Sequence, residues 1–186
     1  MESVFQHPVQ EPEWWWKEDA VRPLDPEDAP AQALQLFIEL LETPSTLAAY
    51  SDAQVAQGFW FLFDDSCSEY TTLFRRPELP SKARERLVKA LPILYRDLFA
   101  LRCAPVMGHP NAEPLNLTCY MLFDLSEALC PNPGDEEVDE LLLGTMEQVL
   151  KISQVACQDS ALHGLGHWAG AYPTRVASII DRYLQE

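Results

Sequence analysis

The chain has 186 residues, 47% of them hydrophobic and 23% charged, which is the composition of an ordinary globular domain. Thirteen Lys and Arg against 29 Asp and Glu give a formal charge of −16. That balance argues against nucleic acid and against an anionic membrane surface as partners, because both are bound through basic faces. No apolar run approaches the roughly 18 residues of a membrane span, and a chain of this length can bury a core without disulfide or metal staples.

The first residues, Met1 to Pro8, lack a basic segment and an apolar run, so no secretory signal is expected there. The cysteines are Cys67, Cys103, Cys119, Cys130 and Cys157, an odd number with no Cys-x-x-Cys pair or zinc spacing. A reducing, cytoplasmic setting is therefore expected, with Cys119 as a small buried hydrophobe among Tyr120, Leu122 and Phe123. Asn116-Leu117-Thr118 matches a glycosylation acceptor, a match without meaning in that setting.

Residues 1–29 carry Pro8, Pro12, Pro23 and Pro26 among many acids, with Pro30 following, and are expected to form an extended acidic arm. Three adjacent indoles, Trp14, Trp15 and Trp16, lie within it. Either one or two of them pin the arm to the body, or they meet another chain or a second copy of this one. From residue 30 to 186 the period is helical, in a single domain. Ala31–Glu42 is amphipathic through Leu34, Phe37, Ile38 and Leu41. Ser51 and Gln54 form a capping box ahead of Val55–Phe63, which is apolar all round and belongs in the middle of the body. Ser66 and Glu69 repeat that spacing before Tyr70–Phe74.

Ser81 opens a long helix to about Arg102 with Pro92 as a kink. A loop at Pro105, Gly108, Pro110 and Pro114 leads to an expected helix over Leu115–Leu129, ended by Pro131-Asn132-Pro133-Gly134. Glu136–Ile152 follows with acids in its first turns, then Gln154–Ala169, and Pro173 starts the last helix. No alternating strand run appears, so the fold class is all-α.

Helix starts fall in pairs near 30 and 52, 67 and 81, 115 and 135, and 154 and 174. In the last pair, Gln158-Asp159-Ser160-Ala161-Leu162-His163-Gly164-Leu165-Gly166-His167-Trp168-Ala169 precedes Pro173-Thr174-Arg175-Val176-Ala177-Ser178-Ile179-Ile180. The Ala-Leu-x-x-Leu-Gly segment, the turn with Pro and the Ile-rich second helix resemble one unit of the HEAT/armadillo family, over residues 154–185. The resemblance implies an α-α superhelix of roughly four hairpins, a binding scaffold for macromolecules. A compact helical bundle is the alternative.

Three constellations stand out. Asp159, His163 and His167, spaced by four, share a helix face beside Gly166 and Gly170, where a divalent ion or a partner could dock. The Glu of a His-Glu-x-x-His motif is missing, because position 164 is Gly. The other reading is a packed or plainly solvated face. Residues 75–102 hold eight basic against three acidic residues, and Lys82, Arg86, Lys89 and Arg96 line one face of the long helix. That stripe either offsets acids such as Asp64, Asp65 and Glu69 or forms an anion-binding groove. The carboxylate groups Asp64-Asp65-Glu69 and Asp135/Asp139 are read as helix capping and dipole placement.

No phosphate loop, nucleophile elbow or catalytic constellation appears, and no cofactor is expected. The leading expectation is a non-enzymatic, cytoplasmic protein-interaction module whose acidic surface binds a basic protein, such as an immunity-type inhibitor of a nuclease toxin. The alternative is a metal-binding protein or metal-dependent enzyme at Asp159, His163 and His167. A third is a homodimer docked through Trp14, Trp15 and Trp16.

Overall fold

The computed structural model describes residues 3–18, 20, 22–108 and 113–185. Met1, Glu2 and Pro110, used in the readings of the N-terminus and of the loop before Pro114, lie outside them. The protein is all-α, with no strand among the described residues. The helices are α1 (Ser3–Gln6), α2 (Pro30–Glu42), α3 (Asp52–Phe63), α4 (Ser81–Leu94), α5 (Ala100–Arg102), α6 (Pro114–Met121), α7 (Glu136–Leu150), α8 (Val155–Trp168) and α9 (Pro173–Tyr183). No helix among the described residues is long and apolar enough to cross a membrane.

Local chemistry accounts for the boundaries. Pro30, Pro114 and Pro173 occupy first turns, where a missing N–H leaves no bond unmade. Ser51 and Gln54 form the expected reciprocal cap of α3, which is buried along most of its length. The second expected capping box does not form. The Ser66 hydroxyl donates instead to Asp64 Oδ1 at 2.6 Å, and Tyr70–Phe74 is a 3-10 turn with no side-chain cap. Pro92 cannot donate to the preceding turn. The helix continues through a π-turn at Tyr95–Phe99 into α5, making one rod from Ser81 to Arg102. That rod lies centrally, with α4 packed on both α2 and α7.

The expected helix over Leu115–Leu129 stops at Met121, and Glu127–Leu129 forms a separate 3-10 turn capped by Ser126. The cause is tertiary. The Asp65 carboxylate accepts from the Ser126 hydroxyl and the Glu127 N–H, each at 2.7 Å, and from Thr71. Trp168 Nε1 donates to Leu129 O at 3.2 Å. These bonds bend the chain away from a helical path and leave Asp124 at the corner, facing α8.

The N-terminal arm is not simply extended. Val4 and Phe5 are fully buried on α1, and Trp14 and Trp15 are buried in a 3-10 turn, while Trp16 remains 59% exposed. Trp14 stacks on His7 at 4.0 Å between ring centroids, and both buried indoles contact Phe61. Gln54 Nε2 donates to Phe5 O at 3.2 Å, Arg22 to Trp15 O at 2.7 Å, and Arg76 to Pro26 O at 2.8 Å. Phe5 lies over Gly58, where any Cβ would overlap its ring. Gly58→Ala is expected to push Phe5 out and destabilise the protein by about 1–3 kcal/mol. Denaturant unfolding measures the loss, and faster proteolysis within residues 3–16 locates it.

Helix α9 is held to α7 by Glu147, which meets Arg182 at 2.8 Å and Arg175 at 3.3 Å. Its hydrogen bond from Arg182 holds the Glu147 carboxyl below the usual value of 4.5. As pH falls, Glu147 of the unfolded chain takes up its proton before Glu147 of the folded protein does. The stabilisation is therefore complete above about pH 4.5 and is lost as pH falls below it. Wild type is expected to melt above Glu147→Gln at pH 7, with the gap closing toward pH 3 in thermal scans.

Candidate metal centre

Helix α8 buries Ala156, Cys157, Ser160, Ala161, Gly164, Leu165 and Trp168. Gly164 is required by packing, since a Cβ there would press on Met146 Sδ and Phe123 Cβ at 2.9 Å. A Cβ at Gly166 or Gly170 would meet nothing within 4 Å. Close packing at Gly164 seats α8 against the Phe123 corner, and this brings Asp124 to the two histidines. His163 Nε2 lies 3.7 Å from Asp124 Oδ2, His167 Nε2 lies 3.6 Å from Asp124 Oδ1, and the two Nε2 atoms are 3.3 Å apart. One ligand atom from each residue lies within 4.8 Å of the others. The His163 ring packs on Tyr120 with centroids 4.1 Å apart.

The three side chains are graded in exposure, with His163 at 20%, Asp124 at 29% and His167 at 43%. The cluster is thus rooted in the body and open to solvent on one side. Burial pushes the His163 imidazole below its ordinary value, and His167 adds to that shift against the opposing charge of Asp124. Neutral imidazole is the form that binds a metal ion. Two nitrogens bound to one tetrahedral zinc at about 2.0–2.1 Å stand about 3.3 Å apart. The imidazole spacing matches that edge, and each nitrogen faces a different oxygen of Asp124, so the carboxylate must shift to serve one ion with both histidines.

The structure brings together two of the three residues singled out by spacing and replaces the third. Asp159 Oδ2 accepts the Gly108 N–H at 2.6 Å and so ties the loop after α5 to α8. Its charge still favours protonated His163, though less strongly than that of Asp124. Asp124 carries its own signal in the sequence, a lone carboxylate between Phe123 and Leu125 in an otherwise apolar stretch.

The basic stripe is occupied from within. Arg86 makes two bonds to Glu42 at 2.7 and 2.6 Å, Lys89 pairs with Glu85, and Arg96 with Asp97 at 2.6 Å. Lys82 shares an open surface hollow with Glu42 and Glu85. The balancing acids are therefore Glu42, Glu85 and Asp97 rather than Asp64, Asp65 and Glu69. Asp64 bonds Ser66, and Asp65 ties together Thr71, Ser126 and Glu127.

Asp139, read from its position as a dipole partner, is fully buried and paired to Arg75 at 2.6 Å. Cys119 is fully buried, and its thiol, which donates to Ala156 O at 3.6 Å, is pushed well up by burial. Of the three indoles, only Trp16 offers its ring to a partner.

Comparison with known proteins gives no match: no family model, no curated protein and no solved structure.

Proposed function

We propose that the protein binds one divalent transition-metal ion of the zinc class through Asp124, His163 and His167. The observation that carries this reading is the convergence of two imidazoles at tetrahedral ligand spacing on one carboxylate. A two-histidine, one-carboxylate set is borderline in softness and suits zinc better than magnesium or calcium, which take oxygen ligands. Three protein ligands leave a position for water, and a metal-bound water is acidified toward neutrality. Solvent reaches the cluster at His167, so that position would be open.

The test is metal analysis of the purified protein after equilibration with Zn2+ and removal of the excess, with Co2+ as a spectroscopic substitute. Wild type is expected to retain about one equivalent and to give a tetrahedral Co2+ spectrum. His163→Ala/His167→Ala is expected to retain none. Retention by the double variant would overturn the site.

A second reading follows from charge. An acidic exterior of −16 that docks a basic protein is supported by the internal pairing of the stripe cations, which leaves acids in excess elsewhere on the surface. Recovery of a partner from the native host at low but not moderate salt tests it, and recovery at neither would count against it. We take the architecture to be nearer a compact bundle than a HEAT-like superhelix. In support, the broadest helix pairings are α2 with α4, α4 with α7, α6 with α8 and α7 with α8, of which only the last joins neighbours in the chain.

A further inference from the structure

Five of the seven large apolar side chains that stand exposed among the described residues gather at one end of the molecule. Leu101 is on the last turn of the central rod, Val106 and Met107 are on the loop that leaves it, Val155 opens α8, and Leu184 follows α9. Three contacts fix this placement. Gln154 Nε2 donates to Cys103 O at 2.7 Å, the Gly108 N–H donates to Asp159, and Leu150 and Lys151 share a small surface hollow with Ile179 and Tyr183. The ends of the rod, α7 and α9 and the start of α8 therefore lie at the same end. The loop is also held firmly. Asn116, itself buried, accepts from the Ala104 N–H at 2.9 Å and donates to Ala104 O at 3.0 Å. Buried amides thus fix a loop that turns Val106 and Met107 to solvent, and an apolar surface held in place loses little freedom on docking.

The charge pattern selects the occupant. Residues 96–108, 150–160 and 179–185, which frame this end, carry four basic and three acidic residues, whereas the whole chain carries −16. A basic partner is drawn to the acid-rich faces elsewhere. A second copy is repelled by those faces and meets least repulsion here, where both signs are present. Apolar groups with both signs beside them suit an isologous two-fold contact, in which one surface must complement itself.

We propose that two copies of the chain pair through this end, with the exposed apolar side chains of each covered by the other. Four helix ends about 10 Å across cover roughly 400 Å2 on each copy, about half of the 800 Å2 that a standard interface takes from each partner. The dimer is therefore a weak one, with an expected dissociation constant of about 10–100 μM. It needs neither a metal at Asp124, His163 and His167 nor the exposed indole of Trp16.

Sedimentation equilibrium of the full-length protein in EDTA, from about 5 to about 500 μM, reads the association directly. The average mass is expected to climb from one chain toward two across that range. Salt screens the self-repulsion of so acidic a chain, so raising NaCl from about 20 to about 500 mM should tighten the dimer several-fold. Met107→Glu/Leu184→Glu should stay a single chain throughout. Both positions are open to solvent, so at low concentration this variant should melt within about 2 °C of the wild type. Trp16→Ser should pair as the wild type does. A single-chain mass at every concentration and salt, or pairing that persists in Met107→Glu/Leu184→Glu, would overturn the proposal. Pairing that Trp16→Ser abolishes would overturn it in favour of the arm, and pairing that salt weakens would overturn it in favour of a contact made by ion pairs.

Discussion

Asp139→Ala is expected to destabilise the protein by about 3–5 kcal/mol, the range for breaking one side of a buried ion pair. Asp139 accepts from Arg75 at 2.6 Å, from the Asn132 N–H at 2.8 Å and from the Tyr172 hydroxyl at 2.6 Å. Arg75 also donates to Ala128 O and Cys130 O, both at 2.8 Å. One carboxylate thus joins the turn before α4, the loop before α7, α7 itself and the residue just before α9. Removing it leaves a guanidinium with 11% exposure whose remaining counter-charge, Asp135, stands 3.7 Å away, and two further donors without acceptors.

A carboxylate that merely complemented the dipole of α7 would cost only about 0.3–1 kcal/mol on removal. The size of the change therefore separates the two roles, and urea unfolding reads it. Asp139→Leu/Arg75→Met should recover much of the loss, because an apolar pair of similar volume carries no desolvated charge. A single Asp139→Ala change under about 1 kcal/mol would reduce the residue to a dipole partner.

Where the sequence supplied a local rule, the structure follows it. Proline at first turns, the Ser51–Gln54 box and the 3.6-residue period placed the starts of α2, α3, α7, α8 and α9 within a residue or two. It departs where the deciding partner is distant. Leu122, Phe123 and Leu125 continue a helical period, yet Asp65, far upstream, collects the Ser126 hydroxyl and the Glu127 N–H and ends the helix early. The indoles signal that one or two of them pin the arm, as Trp14 and Trp15 do, but the arm's prolines hide the burial of Val4 and Phe5, because a chain without periodicity gives no sign of which side faces inward.

The metal cluster shows both cases in one site. His163 and His167 declare themselves through spacing within one helix. Asp124 shows only as a lone carboxylate among apolar neighbours, and the corner that presents it exists only after Asp65 has broken α6. Asp159 has the right spacing, but its carboxylate holds the Gly108 N–H.

That exchange of carboxylates yields the other large effect. Zn2+ at a hundredfold excess over its dissociation constant is expected to stabilise the wild type by about 2.7 kcal/mol, because the ligand set is assembled only in the folded chain. For a protein of this length each kcal/mol moves the midpoint by about 2–4 °C, so thermal scans with and without Zn2+ should differ by about 5–10 °C. Asp124→Ala should abolish most of that shift, since two imidazoles alone hold the ion weakly and leave it more exposed. Asp159→Ala should lower the melting point in both scans, through loss of the Gly108 bond, yet keep the difference between them. The reverse pattern, with the Zn2+ shift surviving at position 124 and vanishing at 159, would return the third ligand to the helix face that spacing alone suggested. Equal shifts in wild type and both variants would mean that the ion binds elsewhere on this acidic surface.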